Sequence, residues 1–370
     1  EIDPSILGTL FERGLDPDKR SQLGAHYTDR DKNMQTVEPV IIRPLMAEWE
    51  TVRAKIEEAL AKAEKATGGA KTRAETEAKR LQAEWHERLR NFRVLDPACG
   101  SGNFLYLSLL ALKDIEHRTN LEAEALSPTL AARFPSSGPE NVLGIELNPY
   151  AAELARVSVW IGEIQWMRRN GFEAAKNPIL KPLSNIENRD AIVVFDESES
   201  VWKEANWPLA NVIVGNPPFL GGKSMRRTLG EESTSVIRRV YDGRLAAFSD
   251  LVCYWFEKAR LLIEDGEVER CGFVATKAIA KNANLPVLVR LSEVAAIYDA
   301  WQNEPWVVDG AAVRVSLVCF ASKDSEIPTL RLNGATAKNI NPNLTSGLDT
   351  TKVARLNENA SSVFIGVQQS

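Results

Sequence analysis

Asp96-Pro97-Ala98-Cys99-Gly100-Ser101-Gly102-Asn103-Phe104 follows a short apolar run at residues 93–95 and opens an amphipathic stretch at residues 104–116. A strand that passes through closely spaced glycines into a helix brings backbone near a ligand. Glycine alone accepts both the tight turn and the close approach. Two glycines by themselves also occur in purely structural turns, so the full string is the more specific sign. Asp96, at the strand's end, can accept a hydrogen bond from a ligand amine or hydroxyl. The loop lacks the Gly-Lys-Ser/Thr ending of a P-loop, which argues against a nucleoside triphosphate site.

Outward from this loop the pattern is α/β. Apolar runs at residues 142–145, 191–195, 212–214, 271–275 and 313–320 read as strands, and residues 149–168 and 249–264 as helices. Their alternation predicts a mainly parallel sheet covered on both faces. Residues 51–67 and 71–92 are rich in Ala, Glu, Lys and Arg, strong helix formers broken by Gly68-Gly69. They predict a charged, mostly solvated helical hairpin, a spacer in preference to the alternative of a DNA-contacting arm. Residues 121–140 look like a loop insertion, and after Ala321 the composition is that of a connector. The expected division is a segment at 1–50, a helical insertion at 51–92, a catalytic domain at 93–325 and a connector at 326–370.

Gly144-Ile145-Glu146-Leu147-Asn148-Pro149 is a second strand ending in a carboxylate before a helix. In doubly wound folds such a carboxylate takes ribose hydroxyls; a solvated glutamate at a helix start would look the same. The third motif is Asn216-Pro217-Pro218-Phe219 after Val212-Ile213-Val214-Gly215. Two prolines cannot donate backbone hydrogen bonds, so the chain must leave the sheet in a rigid extended turn. The Asn216 amide and the Pro217 carbonyl then offer two acceptors for an exocyclic amine, and Phe219 offers a ring to stack its base.

In this order the three motifs resemble the amino-methylating DNA methyltransferases that use S-adenosylmethionine, specifically the N6-adenine branch. Phe11-Glu12-Arg13-Gly14-Leu15-Asp16-Pro17 and Leu23-Gly24-Ala25-His26-Tyr27-Thr28 resemble that branch's N-terminal cofactor motif. Together with residues 216–223, 246–258 and 309–316, they look like the methyltransferase portion of single-chain type IIL/IIG (MmeI-like) restriction–modification proteins. The resemblance implies a Rossmann-like class I methyltransferase fold with a C-terminal hairpin. It implies a cofactor site of Tyr27, Thr28, Asp96, Ala98, Gly100, Gly102, Glu146 and Leu147, with Asp190 on the cofactor adenine. The catalytic residues would be Asn216, Pro217, Pro218 and Phe219. Lys277 stands where the family more usually has Asn, which leaves its role open. In that family a nuclease domain precedes this portion and a target-recognition domain follows it, and both are expected in a full-length chain.

Composition narrows the rest. Hydrophobic residues at 44% and charged residues at 26% fit a globular chain, not a disordered one. Forty-five Lys+Arg against 50 Asp+Glu give a net charge of −5, so any DNA-facing surface must be local. Residues 222–244 carry six basic and three acidic residues, which makes Lys223, Arg226 and Arg227 candidates for phosphate contacts. The scattered cysteines Cys99, Cys253, Cys271 and Cys319 suggest neither zinc nor disulfides, and a cytoplasmic setting. No apolar stretch reaches the roughly 20 residues of a membrane span. Glu1, not Met, begins the chain, which reads as a fragment. Glu77-Ala78-Lys79 lies in a helical stretch without a partner Asp, so no nuclease activity and no metal are expected. The expected partner is double-stranded DNA. An RNA or protein-glutamine methyltransferase with the same loop, or a non-catalytic cofactor-binding subunit, are the alternatives.

Overall fold

Val94 and Leu95 are adjacent and fully buried, yet they belong to different cores. Side chains alternate faces along a strand. Val94, Val212, Val214 and Val274 face one helical layer, while Leu95, Ile213, Phe273 and Ala275 face the other. The computed structural model describes residues 30–131, 133–172, 183–308, 311–327 and 329–352.

Helix α1 (Arg30–Val37) passes through a π-helical turn, Glu38–Ile42, into α2 (Arg43–Lys65), and α3 (Gly68–Asn91) runs back. Strand β1 (Val94–Asp96), α4 (Asn103–Leu126), β2 (Val142–Glu146), α5 (Pro149–Arg169) and β3 (Ile186–Asn188) follow. Strands β4 (Val193–Asp196) and β5 (Val201–Glu204) precede β6 (Val212–Gly215), α6 (Met225–Leu229), α7 (Glu231–Val240) and α8 (Val252–Glu264). Then come β7 (Arg270–Thr276), a 3-10 turn at Lys277–Ala280, α9 (Leu285–Val294), β8 (Ala295–Val308) and β9 (Ala311–Ser322). Two short strands, β10 (Arg331–Leu332) and β11 (Ala335–Thr336), end the series.

The main sheet runs β11-β10-β8-β9-β7-β6-β1-β2-β3. Strands β7, β6, β1, β2 and β3 are parallel, and the β8–β9 hairpin joins β7 antiparallel. This is the expected parallel α/β sheet with a C-terminal hairpin. It places the carboxyl ends of β6, β1 and β2 side by side.

Four details differ from the sequence reading. Strand β4 belongs to a separate two-stranded ribbon with β5, and Ile186–Asn188 is the edge strand beside β2. A three-residue strand carries too little period-2 signal to be read from sequence. Helices α2 and α3 form the expected hairpin, but one face is core: Trp49, Ile56, Trp85 and Leu89 are buried. Trp85 Nε1 donates to Thr119 Oγ1 at 3.0 Å, and Trp49 Nε1 to Glu122 Oε2 at 2.6 Å, fastening the pair to α4. The 121–140 stretch begins as the last turns of α4, and its tail is anchored. Glu116 accepts from Ser136 N–H, Ser136 Oγ and Ser137 N–H at 2.7–2.8 Å. Burial pushes the Glu116 carboxyl up, but hydrogen bonds from His86 and these serines overcome it and hold the pKa at about 2. Beyond Ala321, β10 extends the sheet along β8 within the expected connector.

Candidate active site

The glycine loop is built by its own backbone. Asp96 Oδ1 accepts from Ala98 N–H at 3.0 Å, Cys99 N–H donates to Ile145 O at 3.1 Å, and Gly102 N–H to Cys99 O at 2.8 Å. Gly102 stands at φ +87°, where a Cβ would also lie 2.8 Å from Ala155 Cα. Helix α4 starts there and leaves the loop amides at the sheet edge. Glu146 fastens the loop to β2: Oε2 accepts from Gly100 N–H at 2.9 Å and Oε1 from Asn148 N–H at 2.8 Å.

Two carboxyl groups stand at this loop, Asp96 buried and Glu146 half-buried. Burial raises both carboxyl pKa values, Asp96 up to about 8, and the charge of Glu146 adds to the rise at Asp96. Among the described residues no cationic side chain offsets either group. A positively charged ligand bearing amine and hydroxyl donors would supply what the two carboxylates lack.

Strand β6 delivers the second half. Pro217 is buried, and Asn216, Pro218 and Phe219 are half-buried. Phe219 packs against the core on the α4 side of the sheet, and Leu220 against the core on the α8 side, so the turn straddles the carboxyl edge. Its far end is pinned: Leu251 N–H donates to Leu220 O at 2.8 Å and Gly222 N–H to Asp250 Oδ1 at 3.0 Å. Because β6, β1 and β2 are parallel neighbours, Asn216, Asp96 and Glu146 leave the sheet at the same edge.

The family described as MmeI, DNA-methyltransferase domain, matches residues 71–330, a span that holds all three motifs. The chain belongs to that family. It is 24% identical over 364 residues to DNA methyltransferase A of Bacillus subtilis (strain 168), covering 94% of this chain and 37% of that protein. It is also similar to the type IIL restriction–modification enzyme MmeI, solved in complex with DNA. That match has a TM-score of 0.71 and 26% identity, over 94% of this chain and 45% of MmeI. The chain therefore spans less than half the length of either relative.

Within this MmeI-like methyltransferase portion, the remaining candidates fall as follows. Tyr27 and Thr28 lie outside the described residues. Ala98 is half-buried, and Leu147 is 66% exposed beside Glu146, an apolar face open for a planar group. Asn188 Nδ2 holds the Glu146 and Leu147 carbonyls at 2.8 and 3.0 Å. Asp190 Oδ1 is engaged in its own turn, accepting from Ile192 N–H at 2.6 Å and Val193 N–H at 3.2 Å. Lys223, Arg226 and Arg227 are exposed on and before α6, and Arg226 pairs with Glu231 at 3.4 Å. Sequence reasoning missed two supports. Trp255 Nε1 donates to Pro97 O at 3.1 Å, and Asn284 Nδ2 holds Asp250 Oδ2 at 2.8 Å. A buried Trp on an amphipathic helix is the available sign for the first; the Asn has none.

Proposed function

We propose that this chain methylates adenine N6 in double-stranded DNA with S-adenosylmethionine, as the modification part of a restriction–modification protein. The observation that carries this reading is the Asn216-Pro217-Pro218-Phe219 turn standing at the same sheet edge as two carboxyl groups, buried Asp96 and half-buried Glu146, each held by backbone N–H donors. A duplex adenine cannot present its amine to a methyl donor, so the base must leave the stack, at a cost of a few kcal/mol. Phe219 offers a ring for it to stack on, worth roughly 1–3 kcal/mol.

The residues fit the cofactor. Asp96 and Glu146 match a net cation with an amine and ribose hydroxyls, Gly100 and Gly102 let it approach the backbone, and Leu147 covers an aromatic ring. When bound, S-adenosylmethionine supplies an electrophilic methyl on a sulfonium. The chain supplies the rest. The amine nitrogen of adenine is a poor nucleophile because its lone pair is delocalised into the ring. The Asn216 side-chain oxygen and the Pro217 carbonyl accept hydrogen bonds from its two N–H groups, favour a tetrahedral nitrogen and stabilise the positive charge that grows there, until one of the two protons is released to water. Both acceptors are held by a rigid turn, so little reorganisation is needed. The DNA methyltransferases among the relatives support DNA over RNA or a glutamine side chain as substrate. Nuclease and target-recognition domains are proposed for the full-length protein, because MmeI and the Bacillus relative extend well beyond the matched portion.

The test is incubation with methyl-labelled S-adenosylmethionine and unmethylated genomic DNA, with RNA and a glutamine-bearing release-factor peptide in parallel. Label recovered as N6-methyladenine after nucleoside digestion is the expected result. Label on cytosine, RNA or peptide would replace this reading.

A further inference from the structure

Next to β6, strand β7 ends in Thr276 and runs into the Lys277–Ala280 turn. Lys277 and Lys281 are exposed and, with Gln302 and Asn303, line a cleft of about 310 Å³ that contains no carboxylate. Asn303 stands at φ +61° where β8 shifts register between Trp301 and Glu304. Such a bulge lifts residues out of the ladder and re-aims their side chains. Two other lysines behave differently. Lys113 is buried against Glu163 at 2.9 Å and Lys258 against Glu204 at 2.9 Å, so their charges are spent internally.

The lysine turn is tied to the Asn216 loop by a relay of hydrogen bonds. Gly222 N–H donates to Asp250 Oδ1 at 3.0 Å, and Asn284 Nδ2 to Asp250 Oδ2 at 2.8 Å. Asp250 N–H returns a bond to Asn284 Oδ1 at 2.8 Å, and Asn284 N–H donates to Lys281 O at 3.1 Å. Asn284, at the centre of the relay, is 4% exposed. Lys277 and Lys281 therefore sit on a turn that is hydrogen-bonded to the far end of the Asn216 loop.

We propose that Lys277 and Lys281, with the amides of Gln302 and Asn303, clamp a backbone phosphate of the DNA strand that carries the target base. The inference rests on the DNA reading above and adds a contact separate from Lys223, Arg226 and Arg227. Two cations and two amide donors around a carboxylate-free cleft suit a phosphodiester oxygen pair. A clamp fixed to the loop would hold the sugar–phosphate in register while the base enters beside Phe219.

The test measures binding of a fluorescein-labelled duplex by anisotropy across a salt series. The variants are Lys277→Gln/Lys281→Gln, Lys277→Arg/Lys281→Arg and the equally charged control Lys55→Gln/Lys65→Gln on α2. Losing the one clamped phosphate should flatten the slope of log affinity against log salt by about one unit. The arginine pair and the control should keep the wild-type slope, and calorimetric affinity for S-adenosylmethionine and melting temperature should stay unchanged. If the glutamine pair keeps the wild-type slope while wild type binds both duplex and cofactor, the clamp is wrong and the DNA reading survives. A control that loses as much as the glutamine pair also overturns the clamp. If wild type binds cofactor but no duplex, the DNA reading falls and takes the clamp with it.

Discussion

Gly215 runs so close to Asp96 that a Cβ on it would stand 2.6 Å from Asp96 Oδ1. The two residues close neighbouring parallel strands, one entering the glycine loop and the other the Asn216 turn. Only a residue without a side chain lets the two loops begin this near each other. The carboxylate and the turn are one packed unit.

Gly215→Ala should therefore be costly, by about 1–3 kcal/mol of overpacking. Its effect should shrink when the obstructing carboxylate is removed, because contacting residues are not additive. Chemical denaturation of Gly215→Ala, Asp96→Ala and the double variant measures this. Strict additivity would mean that the contact carries no energy.

Asp96 also sets a pH dependence. Burial raises its folded-state pKa from the usual 3.8 to about 8. Between those values the folded chain holds a proton that the unfolded chain has released. Stability should therefore fall as pH rises through this window and level off above about 8, losing up to about 1.4 kcal/mol per pH unit. Glu146, also raised by burial, acts with the same sign. A cationic cofactor favours the charged form, so its affinity should rise toward pH 8. Melting curves of wild type and Asp96→Asn across this range are the measurement. An unchanged profile in the variant would assign the pH dependence elsewhere.

The central sheet was legible because strands buried on both faces leave continuous apolar runs, as in Val212-Ile213-Val214. The loops at its edge were legible because their chemistry is local: glycine at Gly102, two prolines after Asn216. What stayed hidden is non-local. Nothing in Ile186-Glu187-Asn188 announces pairing with Gly144–Glu146, since the strand exists only through its partner's hydrogen bonds. The charged face of α3 concealed Trp85 and Leu89, which are core because α3 packs onto α2, where Trp85 meets Trp49, and onto α4 through Thr119. At Asp190 the structure shows one carboxylate oxygen bonded to the backbone of its own turn, a local role beside the proposed contact with the cofactor adenine.

That turn separates the two roles. Asp190→Ala removes the acceptor for Ile192 and Val193 N–H and should cost about 1 kcal/mol of stability. Asp190→Asn keeps a side-chain oxygen and should restore the melting temperature. If the carboxylate also holds the cofactor's adenine amine, Asp190→Asn should still bind S-adenosylmethionine more weakly than wild type. Full recovery of both properties in the asparagine variant would leave Asp190 a turn residue only.

Asn216 and Phe219 should fail in different ways, because the proposed function has one act on charge and the other on stacking. In the proposed reaction, Asn216→Ala removes an acceptor for a nitrogen that becomes positive only as the methyl transfers. Its loss should lower turnover by about two to three orders of magnitude, by analogy with a lost oxyanion donor. Cofactor affinity should hardly change, since Asp96 and Glu146 lie on other strands. Phe219→Ala should instead weaken capture of the extruded base by roughly 1–3 kcal/mol, and Phe219→Tyr or Phe219→Trp should be tolerated because each keeps a stacking face. Phe219 also packs on the core beneath it, so a matching melting temperature is needed before its effect is assigned to the base. The measurement pairs single-turnover methylation with 2-aminopurine fluorescence at the target position, in a full-length protein and a duplex containing its site. Asn216→Ala should flip the base and fail to methylate it, while Phe219→Ala should flip it poorly. Wild-type methylation by cofactor-bound Asn216→Ala would remove the turn from the chemistry altogether.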